Sequence, residues 1–130
     1  MRLGVATFLW EREELLPQIS LLGEEGVELI EVWGSPLHFN YNDEEYVELV
    51  RKELSKYEIK ASSLHTPIGQ ELDLSSLNEG RRKRTILEIK KAVSAFAYLE
   101  GSRIVVLHPG GRIENHRERE ERLEKSRESL

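Results

Sequence analysis

The sequence predicts an α/β fold of four β-α units with parallel strands, half of an eight-unit β/α barrel. Two observations carry that expectation. Short apolar runs rich in β-formers alternate four times with segments whose apolar residues recur at helical period, and such alternation implies parallel strands joined by right-handed crossovers with helices outside the sheet. The length of 130 residues then sets the count, because a complete eight-unit barrel takes roughly 250 residues, about 31 per unit. One domain over residues 1–130 fits, with little room for a second. An open doubly wound sheet is the competing architecture, but no Gly-x-Gly-x-x-Gly or P-loop sequence follows any strand.

Leu3 to Phe8 is an apolar run too short for a helix and reads as the first strand. Pro17 suits the first turn of a helix, where its missing N–H costs nothing; Leu15, Ile19 and Leu22 share one face before Gly23 and Gly26 stop it. Val27 to Trp33 is the second strand, broken by Gly34-Ser35-Pro36. Asn42 and Glu45 have capping-box spacing ahead of Tyr46, Val47, Val50 and Leu54, a helix through about Tyr57. Ile59 to Leu64 is the third strand, ended by His65-Thr66-Pro67. A loop leads to the longest helix, Asn78 to Leu99, with Ile86, Ile89, Val93, Phe96 and Ala97 on one face and Gly101 as its cap. Ile104 to Leu107 is a near-continuous apolar run, as expected of a strand buried on both faces. From Glu114 onward eleven of seventeen residues are charged, so a fourth helix has only Leu123 and Leu130 to face a core.

Composition removes several functions. With no Cys, disulfides, thiolate metal sites and Cys nucleophiles are excluded. The net charge of -5 provides no general attraction to nucleic acid or anionic lipid, so neither is expected as a partner. No run of 18 apolar residues is present, and Met-Arg-Leu-Gly-Val lacks the regions of a signal peptide. A cytoplasmic protein without a membrane span is therefore expected.

In parallel α/β folds functional side chains gather at the C-terminal strand ends. Three such ends carry polar residues: Glu31 before Val32-Trp33, His65 in Leu-His-Thr-Pro and His108 in Leu-His-Pro-Gly-Gly. A carboxylate and two imidazoles at neighbouring strand ends are suited to polarising a sugar hydroxyl, shuttling a proton or holding a divalent metal. Each also has a plain structural reading: a histidine donating to a loop carbonyl, and an exposed or ion-paired carboxylate. Gly110 and Gly111 either present N–H groups to a phosphate or carboxylate or form a turn. Trp10, Trp33, Phe39 and Tyr41 lie at or beyond strand ends, where aromatics stack on sugar rings or pack in the core. The run Arg81 to Arg84 opens an amphipathic helix in an acidic chain and reads as a solvated face. His38 and His116 have no partner pattern and receive no role.

The ordered set Gly26 to Trp33, Leu64-His65-Thr66-Pro67 with Leu72-Asp73-Leu74-Ser75-Ser76, and Val105 to Gly111 resembles the xylose isomerase-like TIM-barrel superfamily. That superfamily holds sugar phosphate isomerases and epimerases and endonuclease IV-type AP endonucleases. The resemblance implies the N-terminal half of a TIM barrel, a sugar or sugar-phosphate substrate, and a divalent metal (Mn, Mg, Co or Zn) held mostly by residues of later strands. It also implies that Glu31, His65 and His108 lie around the substrate; with the strand-end reading they are expected to be catalytic, and Trp10, Trp33 and Gly110 to bind the substrate. In the endonuclease branch His65 and His108 would instead be zinc ligands. Ile68-Gly69-Gln70-Glu71 departs from that branch, which typically shows a Tyr and an Asn in this loop. The chain is expected to stop inside the fourth helix, before the first carboxylate ligand, and so to be inactive alone and bind metal weakly or not at all. Open sheet edges predict self-association. The alternatives are a zinc-dependent AP endonuclease and a non-catalytic half-barrel assembly module.

Overall fold

The computed structural model describes residues 4–69, 71–101, 104–111 and 115–130. In chain order it contains β1 (Gly4–Ala6), a 3-10 turn (Thr7–Trp10), α1 (Leu15–Glu24), β2 (Leu29–Trp33), α2 (Glu44–Lys56), β3 (Lys60–His65), α3 (Glu79–Ala97), β4 (Ile104–Val106), a second 3-10 turn (His116–Glu118) and α4 (Arg119–Ser129). The sheet runs β1-β2-β3-β4 with every neighbouring pair parallel. A doubly wound sheet reverses its strand order at a switch point. A monotonic order instead places each right-handed crossover on the same face, so the chain forms an α/β half of a TIM barrel.

The core lies between that covered face and the helices. Ile30 and Val32 of β2 and Ala61 and Leu64 of β3 are buried against Leu15 and Ile19 of α1, Val50 and Leu54 of α2, and Ala92 and Phe96 of α3. Because side chains alternate along a strand, the residues between these point the other way, to the face a closed barrel turns inward. Rows of paired residues cross it: Ala6, Glu31, Ser63 and Ile104 in one, then Trp33, His65 and Val106 nearer the strand ends. A bulge sets this register, since pairing steps from Ile30 with Ala61 to Glu31 with Ser63. The skipped residue, Ser62, donates its hydroxyl to the Ile30 carbonyl at 2.8 Å. Without that extra residue Ser63 and His65 would fall on the helix side.

Helix ends are specified locally. α1 closes with the Gly26 N–H on the Gly23 carbonyl and the Val27 N–H on the Leu22 carbonyl, Gly26 standing at φ 73°. α2 closes identically, with the Ile59 N–H on the Leu54 carbonyl and Glu58 at φ 57° in the position glycine usually takes. Val27 and Ile59 are thus spent on helix termination, and their strands begin later than the apolar runs suggest. The N-cap of α2 is Asp43, which accepts from the Tyr46 N–H at 3.1 Å, rather than Asn42.

Three further expectations need correction. The first strand ends at Ala6 instead of Phe8, because the Thr7 hydroxyl takes over as acceptor for the Trp33 N–H at 3.0 Å and the backbone turns away. β4 is not buried on both faces: Ile104 is 58% exposed and Val106 37% exposed, since this strand is the sheet edge and its inner face is uncovered. Leu123 and Leu130 do not anchor α4 either, being 46% and 72% exposed. Its docking face is polar, with Arg122, Ser126 and Ser129 at helical spacing bonded to Asp73, the Pro109 carbonyl and the Leu74 carbonyl.

Candidate functional site

The C-terminal strand ends bring four rings into one row, one from each strand and its following loop. Phe8 meets Trp33 edge-on with centroids 4.7 Å apart, Trp33 lies tilted by 34° against His65 at 4.3 Å, and His65 faces His108 at 4.8 Å. Register places them so. Gly34 continues the ladder past Trp33, its N–H bonded to the His65 carbonyl at 2.8 Å. A β-carbon there would stand 2.5 Å from that oxygen, so a larger residue would wedge β2 from β3 where the rings meet. On the far side, both the N–H and the hydroxyl of Thr66 bond the Val106 carbonyl at 3.0 Å, locking the ends of β3 and β4 together.

Glu31 sits on the same face one paired row deeper. Its carboxylate accepts from the Ser63 hydroxyl at 3.0 Å. It lines an open cavity of about 720 Å³ together with Ala6, Phe8, Trp33, His65 and His108. The three residues singled out as catalytic therefore share one cavity, and Trp33 shares it with them. Trp10 is elsewhere, half-buried against the core. Phe39 is fully buried, and Tyr41 is buried with its hydroxyl donated to Glu88 at 3.0 Å. Burial pushes the Tyr41 phenol above its usual range, helped by that carboxylate. Gly110 lines a second cavity of about 740 Å³ and packs on Ser75. The Gly111 N–H is already taken by the Asp73 carboxylate at 2.8 Å, so no ligand phosphate receives it.

The histidine pair has a defined proton arrangement. The two Nε2 atoms lie 2.9 Å apart, a distance that requires one to donate and the other to accept. His65 Nδ1 is 3.2 Å from the Thr66 carbonyl, which can only accept. The network thus assigns His65 the Nδ1–H tautomer with a lone pair on Nε2, which receives the Nε2–H of His108. Burial lowers the pKa of His65, and the neighbouring His108 lowers it further. Those effects outweigh the opposing pull of the Thr66 carbonyl and of Glu31. A neutral imidazole with a lone pair beside a carboxylate is suited to taking up a proton near neutral pH.

Two converging imidazole nitrogens are also what a metal ion binds, yet a catalytic zinc site usually takes three protein donors. Among the described residues no group of three or more His, Cys, Asp or Glu side chains is placed to hold a metal. The donor set of the described residues therefore does not by itself fit a resident metal, and no chemical step is routed through one.

Two residue groups escaped the sequence reading. His38 is fully buried, with Nδ1 2.6 Å from the Glu13 carbonyl and Nε2 2.9 Å from the Thr7 hydroxyl. Thr7 links it to the Trp33 N–H, so His38 supports the strand end that carries the site. Asp73 is also buried, where it gathers the Gly111 N–H, the Ser75 N–H and hydroxyl, and Arg122. Of the basic run, Arg81 lies 3.6 Å from Glu71, Arg82 donates to the Ser76 carbonyl at 2.7 Å, and Lys83 pairs with Glu79.

The family model described as xylose isomerase-like TIM barrel matches residues 19–130. Among solved structures, a D-tagatose 3-epimerase-like protein superposes at TM-score 0.81 with 24% identity, over 100% of this chain and 46% of that one. A D-psicose 3-epimerase solved in the presence of D-fructose superposes at TM-score 0.62 with 22% identity, over 75% of this chain and 34% of that one. The 3-keto-D-glucoside 4-epimerase YcjR from E. coli superposes at TM-score 0.65 with 17% identity, over 98% and 49%. The chain thus spans less than half the length of each of these structures. No curated protein matches the sequence.

Proposed function

Because the chain belongs to the xylose isomerase-like TIM-barrel family, we propose that it forms the substrate-binding and proton-handling half of an isomerase or epimerase acting on a sugar or sugar phosphate. The observation that carries this reading is the placement of Glu31, His65 and His108 in one cavity walled by Phe8 and Trp33. Interconverting sugar isomers or epimers next to a carbonyl requires removing a proton from carbon and returning one. In this role the Nε2 lone pair of His65 takes up a proton once substrate displaces the His108 N–H. His108 donates to a substrate oxygen, and Glu31 orients a hydroxyl or acts as the partner base. The apolar wall formed by Phe8 and Trp33 borders the cavity on the side where the carbon face of the sugar packs. The names of the structural relatives supply the first panel of ligands.

Titration with D-tagatose, D-psicose and D-fructose, followed by NMR of the Trp33 indole and the His65 and His108 imidazoles, is expected to shift all three sets of signals together. Sugars that leave these resonances in place, or move only signals remote from them, would defeat the assignment.

The sheet geometry supports a second part of the proposal. β1 and β4 each lack a second strand neighbour among the described residues, and β4 presents the exposed side chains of Ile104 and Val106. Unpaired edges beside apolar surface recruit further strands. We therefore expect this chain to pair with a second copy and bring two sets of Glu31, His65 and His108 around one mouth. Light scattering should report about twice 15.1 kDa; a stable monomer across concentrations would reject the pairing.

A further inference from the structure

The loop that carries His108 is held from below by charged and polar groups that the proposed chemistry does not use. His108-Pro109-Gly110-Gly111 follows β4, which has no second strand neighbour among the described residues. Three contacts steady the loop. The Gly111 N–H donates to Asp73 Oδ1 at 2.8 Å, the Ser126 hydroxyl of α4 donates to the Pro109 carbonyl, and Gly110 lies so close to Ser75 that a β-carbon would strike its side chain. Asp73 ties these together. Its Oδ1 also accepts the Ser75 N–H at 2.9 Å and the Ser75 hydroxyl at 2.7 Å, while its Oδ2 accepts from Arg122 Nη2 of α4 at 2.7 Å.

The same Nη2 reaches Ser75 Oγ at 3.0 Å, and the backbone N–H of Asp73 itself donates to the Thr85 hydroxyl of α3 at 2.9 Å. One carboxylate therefore links the β3-α3 loop, the His108 loop and α4. The Arg122 and Asp73 side chains are only 15% and 9% exposed. Arg122 Nε is buried with no hydrogen-bond partner among the described residues, an arrangement that costs desolvation energy and adds little net stability. Its value is geometric.

We propose that Asp73 and Arg122 are positioning residues: they hold the His108 loop so that the His108 ring meets His65, without themselves touching substrate. The role of His108 rests on the functional reading above, but the positioning can be measured without any ligand. In the full chain, the contact between the two imidazoles is read first by a ring-to-ring NOE and second by the titration midpoint of His65, which burial lowers most and His108 lowers further. R122Q should lose the NOE and move the His65 midpoint up toward the ordinary histidine value. R122K, which restores a cation at the same place, should recover part of both. If R122Q does not fold, D73N provides the second test, since Asn keeps an oxygen for Gly111 and Ser75 but offers Arg122 no charge; it should weaken the NOE in the same direction.

An unchanged NOE and an unchanged His65 midpoint in a folded R122Q or D73N chain would overturn the proposal. A general loss of stability would lower the melting temperature and leave the His65 midpoint of the folded state where it was, which also counts against positioning. Sugar titration of the wild type separates the two ideas. A clamp that works in a chain that binds no sugar removes the functional reading and leaves the positioning intact.

Discussion

His38→Ala is expected to lower the unfolding free energy by about 3–5 kcal/mol, combining the cavity left by a fully buried ring with the orphaning of its partners. The Glu13 carbonyl loses the donor on Nδ1, and the Thr7 hydroxyl loses the acceptor on Nε2. Thr7 in turn accepts from the Trp33 N–H, so the damage reaches the end of β2. Equilibrium denaturation in urea would measure the loss; a change below about 1 kcal/mol would mean that the network is ornamental.

The same residue sets a pH dependence whose sign follows from burial. Desolvation lowers the pKa of His38 against the pull of the Glu13 and Trp10 carbonyls, and His65 is lowered as well. Both are therefore neutral in the folded state at a pH where the unfolded chain has begun to bind protons. Their contribution is complete above the ordinary histidine value of 6.5 and is lost as pH falls through the lower folded values. Stability should decline from pH 7 toward pH 5, and His38→Ala should flatten that decline. Asp73 acts in a separate window. Burial raises its pKa, but the Gly111 and Ser75 hydrogen bonds and the Arg122 charge outweigh this and hold it below the ordinary 3.8. Its contribution is present above that value and disappears only in stronger acid.

The fold was readable in the sequence where one physical signal dominates. Four apolar runs separated by helical periodicity specify the order of elements, and Gly26 marks the end of α1 because that position needs a positive φ. The family resemblance drawn from the strand-end motifs agrees with the matching family model. The strand-end motifs also singled out Glu31, His65 and Trp33, but the bulge at Ser62 that turns His65 onto the face of the other two is a pairing feature that strand alternation does not reveal. What escaped was set by tertiary pairing. Hydropathy alone scores Ile104 to Leu107 as core, yet burial of an edge strand depends on a neighbour that the local sequence does not encode. Apolar periodicity in α4 points to Leu123 and Leu130, whereas its docking stripe is Arg122, Ser126 and Ser129, invisible to an apolar period. His38 had no sequence partner because its partners, Glu13 and Thr7, lie 25 and 31 residues away.

The largest functional effect should come from the pair at the centre of the cavity. In the two-copy assembly proposed above, His65→Gln and Glu31→Gln are each expected to reduce proton exchange at the sugar carbon beside the carbonyl by about 10²–10⁴-fold, the usual loss when a positioned acid or base is removed. Deuterium uptake from solvent into D-tagatose or D-fructose would record it directly. Glutamine preserves the size of both side chains while removing the imidazole lone pair or the carboxylate charge, so weakened binding alone would not reproduce the effect. Ser63→Ala should lie between these variants and wild type, because it removes only the hydroxyl that donates to Glu31 Oε2. If His65→Gln exchanges deuterium at the wild-type rate while Glu31→Gln does not, the proton passes through the carboxylate. The imidazole pair would then be a hydrogen-bonding wall for the sugar, with Trp33 packed behind it.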